Sequence, residues 1–150
     1  MPKFYKGKYR VKNPNKYRGD PTKVEYRSMW ERQVFRWLDD HPGVVWWNSE
    51  ETVIPYRCST DNKIHRYFVD ITVKFKGKSK PFLIEIKPKK QTEPPKTPKR
   101  KTKRYLNEVM TYMKNESKWK AASSYCKNNG LEFSIWTEDT IKGLGIKLLT

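Results

Sequence analysis

Residues 66–87 read RYFVDITVKFKGKSKPFLIEIK, two runs of alternating apolar and polar side chains around a Lys/Gly/Ser turn. Alternation with period two commits a chain to strands, because successive side chains leave on opposite faces. A short Gly-containing turn between two such runs predicts a hairpin, with strands over about 67–75 and 82–87. Each strand carries one acid among apolar neighbours, Asp70 and Glu85, and Lys87 follows the second by two positions. On ideal strands Glu85 and Lys87 share a face opposite Phe82, Ile84 and Ile86, while Phe68, Asp70 and Thr72 oppose Tyr67, Val69, Ile71 and Val73. Paired as a hairpin, the strands bring Asp70 beside Glu85.

Carboxylates flanked by apolar side chains are costly unless positive charge sits between them. A divalent cation answers that need. Hard oxygen donors select Mg²⁺ or Mn²⁺, ions suited to phosphodiester hydrolysis. Lys87 would then steady the attacking group and the charge developing on the phosphate. The bland alternative is an exposed Glu-x-Lys ion pair worth a few tenths of a kcal/mol. Charge favours the first reading, since 33 Lys+Arg against 16 Asp+Glu leave a formal net charge of +17. Such an excess points to a polyanionic partner, nucleic acid first among them. A non-catalytic, basic DNA-binding structural protein is the rival, because charge says nothing about cutting.

Other classes are disfavoured. No apolar run approaches the roughly 18 residues that span a bilayer. Cys58 and Cys126 lie far apart, without a CxxC pair or a His at ligand spacing, so neither a zinc site nor a disulfide framework is expected. A reducing, intracellular compartment follows.

Residues 1–23 hold seven Lys/Arg before the first acid, Asp20, interleaved with Phe4, Tyr5, Tyr9 and Tyr17 and broken by Pro and Gly. This is a basic N-terminal arm whose aromatics are expected to pack on the domain. From 24 to about 39 the spacing of Trp30, Val34, Trp37 and Leu38 predicts a helix with one buried face. Glu31 sits at the edge of that face. Ser28 precedes it by three, which fits a capping box, but the pattern begins near Val24. Ser28 is therefore read as interior, leaving Glu31 to reach the sheet.

VVWW and TVIPY read as short strands, the second an edge strand or a bulge because of Pro55. His65, near the following turn, is read as structural. Residues 88–100, with four prolines, predict a loop without secondary structure of its own. A helix over about 101–127 is expected, restarted at Asn115 as an N-cap and stopped by Gly130. Lys118 is expected to face the cleft, and Trp119 the core. The run 87–104 has nine Lys/Arg against Glu93 alone. Within it Lys89, Lys90, Lys96, Lys99, Arg100, Lys101, Lys103 and Arg104 are expected to touch the DNA backbone without reading sequence. LEFSIWT is a further strand. The order of elements predicts one α/β domain over 24–150, a central mixed β-sheet flanked by helices.

A helical Glu, an Asp on one strand and Glu-x-Lys on the next, here Glu31, Asp70, Glu85 and Lys87, resembles the signature of the PD-(D/E)xK nuclease superfamily. More narrowly, YRSMWERQVFRWLD, VVWWNSEETVIPY, HRYFVDITVKF, FLIEIKPKK and KWKAASSYCKNNGLEFSIWTED resemble the head completion nucleases of T-even-type tailed phages, whose fold is similar to the endonuclease subunit of TnsA-type transposases. Val69 stands where the signature often has Pro. The resemblance implies a restriction-endonuclease-like core and a Mg²⁺-dependent DNA endonuclease, with Mn²⁺ a substitute. It implies metal ligation by Asp70, Glu85 and the Ile86 carbonyl, Lys87 acting on the nucleophile, and Glu31 supporting the metal. It also implies action on packaged DNA before heads join tails, phage head or neck proteins as partners, and a location in the host cytoplasm during assembly or with the virion.

Overall fold

The computed structural model describes residues 6–148. The chain opens with β1 (Gly7–Lys8), which pairs antiparallel with β2 (Glu25–Tyr26), and enters α1 (Met29–Asp40). There follow β3 (Val44–Ser49), β4 (Val53–Arg57), β5 (Ile64–Phe68), β6 (Ile71–Phe75) and β7 (Phe82–Ile86). A long helix, α2 (Lys103–Asn129), leads to β8 (Glu132–Trp136) and α3 (Glu138–Gly143).

Among the described residues the central sheet has four strands in the order β3, β6, β7, β8. The first two pairings are antiparallel and β7–β8 is parallel, so the sheet is mixed, as expected. A parallel neighbour requires a crossover, which α2 provides. β4 and β5 form a separate antiparallel pair with Pro55 opposite Arg66. Two strands have only edges, where a Pro is tolerated.

One apolar cluster joins Val34, Phe35 and Leu38 of α1 to Trp47, Ile71, Val73, Ile84 and Ile86. A second joins Ile54, Tyr67, Val69 and Leu83 to Ala122 and Cys126 of α2. Each large aliphatic side chain so buried contributes roughly 1.5–3 kcal/mol. Helix α1 therefore covers one face of the sheet, and β4, β5 and α2 cover the other.

The single strand expected over 67–75 is two strands. Tyr67 and Val69 enter the second cluster whereas Ile71 and Val73 enter the first. Strict alternation would have sent all four to one face, so the chain changes sheets at 69–70, and Asp70 lies in that break rather than within a strand.

The helix expected from residue 24 begins at Met29, because Ser28 is its N-cap: the Ser28 hydroxyl accepts the Glu31 amide at 3.2 Å. Nor does α2 restart at Asn115, which is buried within it; Thr102 is the cap. No Gly or Pro occurs between 103 and 129 to force a break. Residues Lys89–Thr92 form a 3-10 turn inside the expected loop.

Tyr9 meets Phe35 and Trp47 edge-on, and Tyr17 is buried against Trp47. Phe4 and Tyr5 lie outside the described residues. The wholly buried Asp39 ties this segment to α1, accepting the Tyr9 hydroxyl at 2.8 Å and the amides of Lys12 and Asn13 at 2.7 and 3.0 Å.

Candidate active site

A cleft of about 230 Å³ opens where α1, β5, β7 and α2 converge, lined by Glu31, Tyr67, Asp70, Glu85, Lys87 and Lys118 among others. Each acid arrives by a different route. Glu31 stands in the first turn of α1, Asp70 in the break between β5 and β6, and Glu85 within β7. The β6–β7 register pairs Ile71 with Ile84, and one further step sets Asp70 opposite Glu85. The Ile86 amide donates to Asp70 Oδ2 at 2.8 Å. Buried Glu85 accepts the Tyr67 hydroxyl on Oε2 at 2.6 Å, and its Oε1 lies 3.5 Å from Lys87 Nζ. The carboxylate of Glu31 also accepts the Arg27 amide at 3.0 Å. Glu31 thus completes the capping arrangement while facing the cleft; it is not free of the cap.

The charges set what the cleft can hold. Desolvation, then repulsion from Glu85 and Glu31, push Asp70 well above the usual carboxylate range, against the Ile86 amide and Lys87. Glu31 is raised by desolvation first, with Glu50 and Glu85 adding to it. Burial and the Glu85 charge drive the Tyr67 phenol far above its ordinary value, keeping it a donor. Three carboxyl groups line one cleft in which, among the described residues, only Lys87 is ion-paired with any of them. A cation of higher charge relieves that repulsion, and an all-oxygen donor set fits Mg²⁺ or Mn²⁺.

The eight basic residues singled out between 89 and 104 are exposed and do not line the cleft. The Lys89 amide donates to Glu138 Oε1 at 2.7 Å and its ammonium lies 3.7 Å from Asp139; Arg104 pairs with Glu108 at 3.3 Å. Lys118 lines the cleft, whereas Trp119 does not. His65 bonds Asp61 at 2.7 Å at the β4–β5 turn. That turn also brings one ligand atom each of Cys58, Asp61 and His65 within 4.8 Å of one another, against the expectation of no His at ligand spacing beside Cys58, which His65 follows by seven positions. A thiol–imidazole–carboxylate set suits zinc rather than magnesium, and it lies outside the cleft. Cys58 and Cys126 are both free and buried. Among the described residues no helix is long and apolar enough to cross a membrane.

Tyr67 and Arg27 are the cleft residues that sequence reasoning missed. Alternation put Tyr67 on the face opposite Asp70; only the change of sheets at 69–70 turns both toward Glu85.

Residues 41–138 match the family described as TnsA-like endonuclease N terminal, a span that contains Asp70, Glu85 and Lys87. The chain is 48% identical over 147 residues to the head completion nuclease of Enterobacteria phage T4, covering 95% of this chain and 97% of that relative. No solved structure matches it. With four strands, a long crossover helix and an acidic cleft at their meeting point, and with this similarity along nearly its whole length, the chain belongs to the TnsA-like endonuclease family.

Proposed function

We propose that this chain is a divalent-metal-dependent DNA endonuclease that acts in phage head completion, cutting or trimming packaged double-stranded DNA before heads are joined to tails. The observation that carries this reading is the meeting of Glu31, Asp70, Glu85 and Lys87 in one cleft from three separated stretches of chain. Its setting is the host cytoplasm during assembly, or the virion, with head or neck proteins as partners.

Asp70, Glu85 and the Ile86 carbonyl would hold Mg²⁺, for which Mn²⁺ can substitute. When bound, that ion supplies Lewis-acid polarisation of the phosphodiester and a hydrolytic nucleophile near neutral pH. The protein supplies the rest. Tyr67 fixes one oxygen of Glu85 by hydrogen bonding, leaving the other beside Lys87. Lys87 directs its ammonium toward the nucleophile and the developing negative charge. Glu31, from the α1 side, supports the ligand shell. Lys89, Lys90, Lys96, Lys99, Arg100, Lys101, Lys103 and Arg104 hold the duplex by its phosphates.

The test is cleavage of supercoiled plasmid in Mg²⁺ or Mn²⁺ by the wild type, Asp70→Asn and Glu85→Gln. The wild type should nick or cut, and both variants should fall to background while still retaining DNA. Cutting by the variants at the wild-type rate would exclude this site. A wild type inert with both ions would leave the non-catalytic DNA-binding reading in its place.

A further inference from the structure

Three cations line the cleft, and they are not equivalent. Arg27 pairs with Glu50 at 3.1 Å and Lys87 with Glu85 at 3.5 Å. Lys118 enters from α2, on the face of the sheet opposite α1, and among the described residues forms no ion pair. Its ammonium lies 5.6 Å from the centroid of the Tyr67 ring, the same ring whose hydroxyl holds Glu85. Burial lowers its pKa, while attraction from Glu85 acts the other way.

A half-buried ammonium with no carboxylate partner pays desolvation that an aromatic face offsets only in part. An anion entering the cleft would complete the compensation. The anion a DNA-cutting cleft receives is a phosphate. Lys87 is already engaged by a metal-binding carboxylate, and Lys118 is not. Lys114, one turn earlier on α2 and exposed, extends the positive charge outward from the cleft.

We propose that Lys118 receives a non-bridging oxygen of the scissile phosphate, leaving Lys87 to the nucleophile. This rests on the nuclease reading above and divides its labour between two lysines on different elements.

Lys118→Ala and Lys118→Arg separate this role from a structural one through two readouts. In Ca²⁺, an ion chosen to support binding without turnover, fluorescence anisotropy of a labelled duplex against salt should give Lys118→Ala a log–log slope smaller by about 0.9, one lost phosphate contact. Lys118→Arg should keep the wild-type slope. In Mg²⁺, Lys118→Ala should lose on the order of 10²-fold in kcat, as when a positioned donor to developing charge is removed, and the Arg variant should recover most of it. Mn²⁺ affinity by calorimetry should be unchanged in both. Wild-type cutting by Lys118→Ala, or an unchanged salt slope, would overturn the assignment, as would Mn²⁺ affinity falling with activity, which would mark a residue that merely props up the carboxylates. If Lys118→Ala cuts normally while Asp70→Asn is inert, the nuclease reading stands and only the role of Lys118 falls. If the wild type never cuts, that reading falls, and the salt slope still reports whether Lys118 meets a phosphate.

Discussion

Tyr67 holds Glu85 in a single orientation, since a buried carboxylate bonded to a phenol at 2.6 Å has one oxygen committed and the other left to face Lys87 and the cleft. Partners that orient metal ligands in this way typically change affinity 10- to 100-fold when removed. Tyr67→Phe should therefore weaken Mn²⁺ binding by about 10-fold in calorimetry with the fold intact; equal affinity would deny Tyr67 this role. Asp70, Glu85 and Lys87 were legible as cleft residues because each is an ionic residue in or beside an apolar run, although only Glu85 lies within a strand. Tyr67 was not, because a tyrosine in an apolar run reads as core, and it is core by every criterion except its hydroxyl. Glu31 was half legible: its reach to the sheet could be read from the helical wheel, but its bond to the Arg27 amide could not.

Helix α1 starts where a side chain can terminate it, and that start aims Glu31. Ser28 takes the Glu31 amide and the Glu31 carboxylate takes the Arg27 amide, so the catalytic candidate and the cap are one device. Ser28→Ala should cost about 1 kcal/mol, read as a lower urea midpoint, and should also slow cutting because Glu31 loses its anchor; an unaltered midpoint would show the cap to be idle. At the other end of α1, Asp39 holds the segment carrying Tyr9, Lys12 and Asn13. Asp39→Ala removes the charged acceptor of the half-buried Tyr9 hydroxyl and of two backbone amides and should destabilise by about 2 kcal/mol; a loss within experimental error would mean the segment is held by its aromatics alone. Strands β7 and β8 and the outer bounds of α2 were visible in periodicity, and the mixed sheet in the order of the elements, whereas the unbroken run of α2 through Asn115 was not. The break between β5 and β6 was not, because two clusters on opposite faces compete for one apolar run, and only the folded arrangement settles which residues go to which.

Taken together, three of the sixteen acids meet in one cleft, while the basic excess is spread over the rest of the molecule. Replacing Lys99, Arg100, Lys101 and Lys103 by Ala should flatten the salt dependence of duplex binding, by about 0.9 in log–log slope for each lost phosphate contact; an unchanged slope would make that run a solvated linker. The acids set a second dependence. Asp70 and Glu31 keep their protons to higher pH in the fold than in the unfolded chain. Between the ordinary carboxylate value and the raised ones the folded state binds more protons, so metal-free stability falls as pH rises through that window. Divalent ions need the deprotonated ligands, so the rise in Tm given by Mg²⁺ should be larger at about pH 8 than at about pH 5.5. A rise that shrank with pH would place the ion on other groups. The sharpest check is an anomalous-difference map from crystals soaked in Mn²⁺. The expected map has density bounded by Asp70 and Glu85; density only at the Cys58, Asp61 and His65 turn, or none at all, would contradict a metal centre in the cleft.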